Sequence, residues 1–503
     1  MAPPGWRYPQ HKAVEVEARK RRSGGGVGHS SEEASNDRGA KGRQIWTSAK
    51  GETVSVHSND GSAWSTKLQR IGELSAQRKD LVFNNLGHIL STEWLRELYR
   101  QLDGSKAIGI DGITKEAYGK NLDQNLLGLI QRIRRGQYRP QASRIVEIPK
   151  EDGSTRPLAI SCFEDKLVQL AVSTILGQIY EPLFLPCSFG FRPGQSCHDA
   201  LRALNGAVFK AQDGAIAEID LRKYFNTIPH GPLFELLRRK IADERFLRLL
   251  ETLAKAPTIQ DGKVTENELG CPQGSILSPV LANIYLHHVV DEWFEENTRT
   301  HFKGHAREIR YADDIVFVFH DASDAERFYR VLPKRLSKYG LTIHEEKSRL
   351  LPSGHKAAAR AHARGEKLPV YKFLGFTCYW GQSVSKKCWR LKVKSRGDRK
   401  RAKLKGLRQF LRDHLNTPDT PMVLNRVKAG VRGWANYHAV SDNQRQVSSF
   451  IDESKRILFQ WFNRRGGRKP WTWKRHERLL DRINYPKVPN VTSLFPTPNQ
   501  AKA

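Results

Sequence analysis

A short hairpin with two adjacent carboxylates constrains the fold of this 503-residue chain most strongly. The segment from Arg307 to Phe319 reads as two strands around the turn Tyr311-Ala312-Asp313-Asp314, and the residues after the turn are continuously apolar. Aspartates at a hairpin tip are usually turn formers, so an isolated Asp-Asp pair would mean little. The pair gains meaning only if a further carboxylate lies beside it in an antiparallel sheet.

A second strand-like segment supplies that carboxylate. In Ala215–Leu221, alternation places the apolar residues on one face and Asp220 on the other. If this strand pairs beside the hairpin, Asp220, Asp313 and Asp314 converge. Carboxylates so close repel one another unless cations compensate them, and hard oxygen ligands suit Mg²⁺. Two such ions, for which Mn²⁺ can substitute, would support nucleotidyl transfer. Glu218 lies on the same face, and we expect it to be solvated rather than to support the site.

The charge of the chain indicates a polyanionic partner. The formal net charge is +31 with a pI near 10.0, and such self-repulsion does not stabilise a compact fold. The excess is concentrated after residue 385, where 29 Lys/Arg stand against 8 Asp/Glu, a net charge of +21. Nucleic acid is therefore the expected partner.

Cysteine spacing and hydropathy exclude several other classes of protein. The six cysteines include no Cys-x-x-Cys pair and no spacing typical of zinc sites, which argues against structural zinc and against a disulfide framework. No apolar run approaches the roughly 18 residues that a membrane helix requires, and the N-terminus lacks a signal-like apolar core. We expect a cytoplasmic protein of bacterial type that is associated with nucleic acid and has no membrane partner.

Composition divides the chain into three parts. Residues 1–65 are polar, basic and glycine-rich, and we expect them to be disordered. Residues 66–385 alternate helical and strand-like patterns, whereas residues 386–503 read as almost entirely helical. This order of segments predicts an α+β catalytic domain followed by an α-helical domain.

Several local elements can be predicted. Ser143–Pro149 reads as a strand, 166–179 as an amphipathic helix, and Ser91 or Thr92 as the cap of a helix. Ser278-Pro279 reads as a cap followed by proline at the first helical position. In the basic segment, Leu404, Leu407 and Leu411 form the apolar stripe of a first helix. A second helix is expected to start at Thr420-Pro421, and a third from Gln444 onward.

Further residues fit a nucleotide pocket. Lys150 and Arg156 flank the turn Glu151-Asp152-Gly153, so on a hairpin both could reach one triphosphate. Pro272-Gln273-Gly274-Ser275 turns tightly just before a helix N-terminus, a place that favours phosphate. Phe225 follows Asp220 by five positions and could pack under a sugar, although a phenylalanine is more often simply part of the core.

These motifs together resemble the reverse transcriptases encoded by group II introns. The resemblance runs in order through eight blocks, which are Lys106–Gly112, Arg156–Leu158, Ser188–Pro193, the strand of Asp220, Cys271–Ser275 with Ser278–Leu286, Tyr311–Asp314, Gly340–Lys347 and Phe373–Phe376. Any one block is weak evidence, whereas eight in the right order are specific.

The resemblance implies a right-hand polymerase, with fingers and palm over residues 66–385 and a helical thumb and maturase region over 386–503. It assigns metal ligation and catalysis to Asp220, Asp313 and Asp314. It assigns nucleotide binding to Lys150, Arg156, Phe225, Gln273 and Lys347, the last as a proton donor to the leaving pyrophosphate. The implied function is an RNA-directed DNA polymerase that binds its intron RNA to assist splicing and supports mobility by target-primed reverse transcription. Its partners would be intron RNA, an RNA template with a DNA primer or target DNA, and dNTPs.

Two regions of the basic segment 386–503 contain notable aromatic residues. Val431–His438 looks like part of the maturase region, in which we expect Trp434 and Tyr437 to pack the helical core. Basic and aromatic residues alternate closer to the C-terminus. Such residues suit RNA, because cations bind phosphate and aromatic rings stack on bases. The predicted RNA-binding residues, interleaved with Trp471 and Trp473, are Arg464, Arg465, Arg468, Lys469, Lys474 and Arg475.

The pattern departs from many relatives in one respect. Those relatives carry an HNH endonuclease with paired cysteines, whereas this chain has neither the pairs nor the room after Pro486, so we expect no endonuclease. The main alternative is a reverse transcriptase of this descent that serves host defence or repair without splicing. A non-catalytic RNA-binding protein would be expected to lack one of the three carboxylates, and all three are present.

Overall fold

The computed structural model describes residues 45–47, 53–55, 63–149, 155–383, 388–466 and 470–495. The strands are β1 Ile45–Thr47, β2 Thr53–Ser55, β3 Ser143–Pro149, β4 Thr155–Ile160, β5 Gly214–Asp220, β6 Thr258–Gln260, β7 Lys263–Thr265, β8 Ala306–Tyr311, β9 Asp314–Phe319, β10 Arg349–Ser353, β11 Tyr371–Phe373, β12 Phe376–Gln382 and β13 Trp389–Ser395. Most of the expected N-terminal tail lies outside the described residues.

Helices make up much of the remaining chain. They are α1 Ala63–Gln77, α2 Thr92–Gln101, α3 Lys115–Gly119, α4 Leu122–Arg134, α5 Phe163–Tyr180, α6 Cys197–Lys210, α7 Tyr224–Thr227, α8 His230–Arg238, α9 Glu244–Ala254, α10 Ser278–Leu286, α11 Ala322–Lys338, α12 His355–Ala363, α13 Gly397–Asp413, α14 Thr420–His438, α15 Gln444–Arg464 and α16 Trp473–Arg482. Two π-helical segments, His287–Asp291 and Trp293–Thr298, continue α10. Within the described residues, no helix is long and apolar enough to span a membrane.

A four-stranded antiparallel sheet lies at the centre of the molecule, with strand order β10-β5-β9-β8. We call it the carboxylate sheet. Side chains of α6 pack against one face and those of α11 and α10 pack against the other. Because both faces are covered, the strand residues Ile315–Phe319 are all buried, which explains why they form an unbroken apolar run.

Two further sheets have three or more strands. β3 and β4 form an antiparallel hairpin, β3 also pairs in parallel with β6, and β6 pairs with β7. β11, β12 and β13 form an antiparallel sheet that packs in the same core as α6 and β8. The mixed α and β content predicted from the sequence is confirmed, and so is the strand Ser143–Pro149.

Helix α5 corrects one expectation about amphipathicity. Sixteen of its eighteen residues, including the polar Gln169, Ser173 and Thr174, are buried. The buried hydroxyl and amide groups bond locally, as when Thr174 donates to the Leu170 carbonyl and Gln169 donates to Ser161. A helix surrounded by other elements therefore looks amphipathic in sequence although it has no solvent face.

The helix starts were predicted with mixed success. Ser91 caps α2 by accepting a bond from the Trp94 amide, as expected. Ser278 does not cap α10, because its hydroxyl donates instead to the Pro272 carbonyl at 2.9 Å, although Pro279 does occupy the first turn. The hydroxyl therefore fastens the preceding turn to the helix rather than satisfying a helical amide.

The C-terminal helices α13, α14, α15 and α16 share a separate apolar core. The stripe of Leu404, Leu407 and Leu411 is buried there, as predicted. The helical part begins at Gly397 and not near residue 386, because Trp389–Ser395 is the third strand of a sheet. Its lysines and arginines alternate with apolar residues, which is the pattern of a strand with one exposed face.

Candidate active site

Strand pairing brings the predicted carboxylates together. In the register of β5 and β9, Asp220 lies directly opposite Asp314, so their Cα atoms should be about 4.5 to 5.5 Å apart. β8 and β9 close a hairpin in which Tyr311 pairs with Asp314, leaving Ala312 and Asp313 as the turn. The pairing on which the predicted convergence depended is confirmed, and all three carboxylates lie at one end of the sheet.

The turn itself is held in an unusual backbone conformation. Ala312 has φ of 58°, in the left-handed region that residues with a β-carbon seldom adopt. Gly190 lies against it so closely that a β-carbon at that position would be 2.3 Å from the Ala312 nitrogen. Gly190 is therefore required for the segment Ser188–Pro193 to pack beside the turn.

Asp220 is fixed by the segment that follows α11. The amide of His344 donates to the Asp220 carbonyl at 2.8 Å, and the Asp220 amide donates to the Ser348 hydroxyl at 3.0 Å. In the same segment, Lys347 places its ammonium nitrogen 3.9 Å from an Asp220 carboxylate oxygen. The block Gly340–Lys347 therefore positions one carboxylate and provides a cation beside it.

Asp220 and Asp314 bind protons more readily than exposed carboxylates do. Burial, with the nearby negative charge of Asp313 and Asp220, raises the pKa of Asp314 to about 6. Burial also raises the pKa of Asp220, and the Lys347 ammonium opposes that rise. A site whose carboxylates repel one another in a low-polarity setting gains stability when divalent cations bind.

The donor set fits hard divalent cations. The three side chains offer carboxylate oxygens only, and two of them project from neighbouring strands that the backbone holds in fixed register. Oxygen ligands of this kind bind Mg²⁺ and Mn²⁺ rather than soft metals. Asp220, Asp313 and Asp314 are the residues that would hold such ions.

Backbone bonds connect most of the predicted nucleotide contacts. Gln273 accepts a bond at its carbonyl from the amide of Ala159, three residues after Arg156 on β4. The next residue, Gly274, has φ of 111°, and a β-carbon there would be 2.4 Å from the Ala159 carbonyl oxygen. Arg156 is half-buried. Lys150 lies outside the described residues, so its role stays a prediction.

Phe225 follows the strand of Asp220 and contacts the segment that leads into the Gln273 turn. It belongs to the short helix α7, and its carbonyl accepts a bond from the Cys271 amide at 2.7 Å. The ring is 8% exposed and packs at a tilt against Tyr224. Phe225 is thus part of the core, as the sequence reasoning had allowed.

Glu218 does not behave as expected. Rather than being solvated, its carboxylate accepts a bond from Arg349 at 2.6 Å and another from the Lys372 amide at 3.3 Å. The side chain is only 16% exposed. Glu218 therefore ties β5 to β10 and to β11, a role that depends on tertiary pairing and that alternation alone did not reveal.

The predicted RNA-binding cations fall into different environments. Arg464, Lys474 and Arg475 are exposed, and the Arg475 guanidinium lies 4.3 Å from the centroid of the Trp471 ring. Arg465 is half-buried, lies 4.6 Å from the centroid of Trp461 and donates to the Thr417 carbonyl. Arg465 therefore has a structural role on α15. The remaining two, Arg468 and Lys469, lie outside the described residues.

The expectation that Trp434 packs the helical core is confirmed, whereas Tyr437 packs against the sheet of β11, β12 and β13 instead. Trp434 is 4% exposed and stacks on Phe450, with 3.8 Å between the ring centroids. Tyr437 donates its hydroxyl to the Leu374 carbonyl and stacks on Phe376. These aromatic residues join α14 to the helical core and to the sheet of β11, β12 and β13.

Sequence reasoning missed a buried polar group behind the carboxylates. Arg310, Asp291 and Glu308 are fully buried, and Asn283 and Ser188 complete the group. The available signal was the pair of charged residues at alternate positions of β8, which face inward on a strand that otherwise packs against apolar neighbours.

Comparison with known proteins identifies the central part of the chain. Residues 148–378 match the family model described as reverse transcriptase (RNA-dependent DNA polymerase). These residues form a reverse transcriptase domain. The domain contains the three carboxylates and four residues that the sequence predicts to contact the nucleotide, namely Arg156, Phe225, Gln273 and Lys347.

The similar proteins include products of introns. The chain is 40% identical to an uncharacterized 91 kDa protein in a cob intron of Schizosaccharomyces pombe, over 47% of this chain and 29% of that protein. It is 36% identical to the group II intron-encoded protein LtrA of Lactococcus lactis, over 44% and 37%. It is 35% identical to protein YkfC of Escherichia coli, over 44% and 59%. The reverse transcriptase domain is thus related to those of group II intron-encoded proteins, and the matches span between about a third and three fifths of these relatives' length.

Proposed function

We propose that this chain is an RNA-directed DNA polymerase that uses two Mg²⁺ ions at Asp220, Asp313 and Asp314. The observation that carries the proposal is the register that sets Asp220 opposite Asp314, with Asp313 in the adjoining turn. The reverse transcriptase domain favours a DNA product over the RNA product of a related polymerase. In this proposal, the carboxylate sheet is the palm, β3 and β4 with α1–α5 are the fingers, and α13–α16 are the thumb.

When bound, the two ions would activate the attacking 3′-hydroxyl and stabilise the leaving pyrophosphate. The chain's own residues orient the reactants. Arg156 can hold the triphosphate with a bidentate fork, and Gln273 lies on the backbone turn that packs against the strand of Arg156. Lys347, whose ammonium nitrogen lies 3.9 Å from Asp220, would donate a proton to the leaving group, and Phe225 would limit the space beneath the sugar.

Primer extension tests this proposal. The purified chain is incubated with a DNA primer annealed to an RNA template, dNTPs and either Mg²⁺ or Mn²⁺. Full-length DNA should form with either metal, and chelation of the metal should abolish the product. A chain that binds the primer and template but extends nothing with either ion would contradict the proposal.

We also propose that the chain binds a group II intron RNA and assists its splicing, and that it supports mobility by priming DNA synthesis at a target. The similarity to a group II intron-encoded protein supports this proposal, as does the basic C-terminal segment. In such an intron, the RNA provides the splicing chemistry, so the protein needs only to bind the active RNA fold more tightly than other folds. The two activities should therefore separate genetically.

Replacing exposed cations of the C-terminal helices should separate splicing assistance from DNA synthesis. Replacing Arg464, Lys474 and Arg475 with Ala should impair splicing at moderate Mg²⁺ more than extension of a short generic template. It should also flatten the slope of log affinity against log salt by about 2, because about three fewer counterions are released on RNA binding. Arg465 is left unchanged because it packs on Trp461.

A matched control removes the same charge elsewhere. Arg330, Lys334 and Lys338 are exposed on α11, and their replacement with Ala should leave splicing near the parental level. Equal losses of splicing and extension in both triple variants would contradict the assignment of the C-terminal helices. A parent that extends primers but promotes no splicing of its flanking intron would favour the alternative, a reverse transcriptase that serves host defence or repair.

A further inference from the structure

A fully buried arginine lies immediately behind the metal-binding turn. Arg310 precedes Ala312 by two residues at the end of β8, and its side chain is 0% exposed. Burying a guanidinium costs several kcal/mol of solvation unless its charge and all its donors are satisfied. The residues around Arg310 must therefore satisfy its charge and its donors.

The guanidinium makes five hydrogen bonds to four other residues. Nε and Nη2 donate to the two carboxylate oxygens of Asp291 at 2.7 and 2.5 Å. Nη1 donates to Asn283 Oδ1 at 2.9 Å and to the carbonyl of Ala312 at 3.3 Å. Nη2 also donates to the Ser188 hydroxyl at 2.8 Å. One rigid group thus connects the helix of Asn283, the π-helical segment of Asp291, the loop of Ser188 and the turn.

The bond to Ala312 is the one that matters for the site. Ala312 has its strained left-handed φ directly before Asp313 and Asp314. Its carbonyl would otherwise point into the buried space behind the turn, where an unpaired acceptor is unfavourable. Asn283 donates in turn to the Gly190 carbonyl at 2.7 Å, which holds Gly190 against the Ala312 amide. Both sides of the Ala312 peptide are therefore fixed by the same polar group.

The π-helical segment supplies the counter-ion. Asn283 lies on α10 and Asp291 ends the segment His287–Asp291, yet both contact the same guanidinium. A π-helical segment changes the direction of the residues that follow it, and such segments are rare and often lie at functional sites. Here it brings Asp291 to the Nε and Nη2 edge of the guanidinium, while Nη1 bonds to the turn.

Glu308 is a third acid beside this pair. Its nearest oxygen is 3.9 Å from Arg310 Nε, and within the described part of the chain neither of its oxygens has a hydrogen-bond partner. Burial and the Asp291 charge raise the pKa of Glu308 well above its usual range. The group therefore consists of the ion pair of Arg310 and Asp291 and a second acid that is easier to protonate than an exposed glutamate.

We propose that Arg310 is a positioning residue for metal binding, whose guanidinium holds the Ala312 carbonyl so that Asp313 and Asp314 face the ions in the correct geometry. The inference rests on the proposed polymerase function and deepens it. A lysine would keep the charge against Asp291, but its ammonium cannot reach Asp291, Asn283, Ser188 and Ala312 together. Arg310→Lys therefore separates the charge from the geometry.

Primer extension over a Mg²⁺ series tests the inference. Arg310→Lys should lower kcat by about 100-fold, the effect expected when reacting groups are misplaced by about 1 Å. The Mg²⁺ concentration at half-maximal rate should rise, while the KM for the primer and template should stay near the parental value. A purely structural role would lower stability without moving the Mg²⁺ midpoint. Glu308→Gln is the matched control at the same buried site and should leave the midpoint unchanged, because neither side-chain oxygen of Glu308 has a hydrogen bond to Arg310 or to the turn.

Direct binding of Mn²⁺ provides a readout without activity. Titration of the full chain followed by electron paramagnetic resonance should give a weaker Mn²⁺ affinity for Arg310→Lys than for the parent and Glu308→Gln. Thermal unfolding and RNA affinity confirm that each variant is folded. Equal Mn²⁺ affinity in the folded parent and Arg310→Lys would overturn the inference, whether or not the parent extends primers. A parent that binds Mn²⁺ but extends nothing would overturn the proposed function alone.

Discussion

Asp313→Asn is expected to abolish primer extension on RNA templates, with a loss on the order of 1,000-fold or more, because several kcal/mol of metal-dependent stabilisation is lost. The turn should keep its shape, since asparagine has the same size as aspartate. RNA affinity should stay close to the parental value because the basic surface is untouched. Single-turnover extension at saturating dNTP measures the loss directly, and filter binding over the same RNA measures the affinity.

A second hairpin of the same chain provides the control for Asp313. Asp261 lies in the exposed two-residue turn between β6 and β7, with φ of 51°. Asp261→Asn removes the same charge from a turn of the same length and should leave extension unchanged. Extension by Asp313→Asn within tenfold of the parent would remove Asp313 from the set of metal ligands. Splicing assistance should survive Asp313→Asn, because the RNA provides that chemistry.

Phe225→Ala is expected to admit ribonucleotides. The ring is mostly buried, and its backbone is bonded to Cys271 just before the Gln273 turn, so it lies beneath the place proposed for the sugar. Removing it opens space for a 2′-hydroxyl. The ratio of kcat/KM for dNTP over rNTP should fall by about 10- to 100-fold, the range that a single pocket contact usually contributes. Steady-state incorporation of one nucleotide at a time measures this ratio.

The control for Phe225 addresses its contribution to the core. Truncating a buried phenylalanine costs about 3 to 5 kcal/mol of stability, so the rate alone would mislead. Phe234→Ala removes a ring of similar burial on α8, outside the pocket, and should lower the melting temperature without changing the selectivity ratio. A Phe225→Ala enzyme with unchanged discrimination would show that Phe225 is core and nothing more.

Much of the fold was accessible from local sequence patterns. The strand at Ser143–Pro149 and the buried stripe of α13 follow from periodicity, which depends only on the residues themselves. The hairpin of β8 and β9 was also predicted from a polar turn between strand-like segments. Prediction failed where the neighbouring elements determine burial or secondary structure. Helix α5 was predicted to be amphipathic but is enclosed on all sides, and β13 was predicted to be helical because its alternating cations resembled a helix surface.

The order of motifs along the chain predicted a polymerase. The register of β5 with β9 then showed how two of its carboxylates lie relative to each other. Alternation placed Asp220 on one face of a strand, but only the antiparallel pairing sets it opposite Asp314. Glu218 shows the converse, because the same alternation cannot reveal that Arg349 and the Lys372 amide pair with its carboxylate. Pairing between distant segments depends on the whole fold, and no local pattern encodes it.

The sequence by itself determined the chemical groups of this protein, namely three carboxylates in strand contexts, a basic helical segment and an ordered series of motifs. The tertiary structure alone decided how those carboxylates are held. Arg310, Asp291 and Asn283 come from segments up to 27 residues apart and meet only because a π-helical segment turns Asp291 toward the guanidinium. A buried charge is stable only when every partner is in place, so its function cannot be seen until the fold has assembled them.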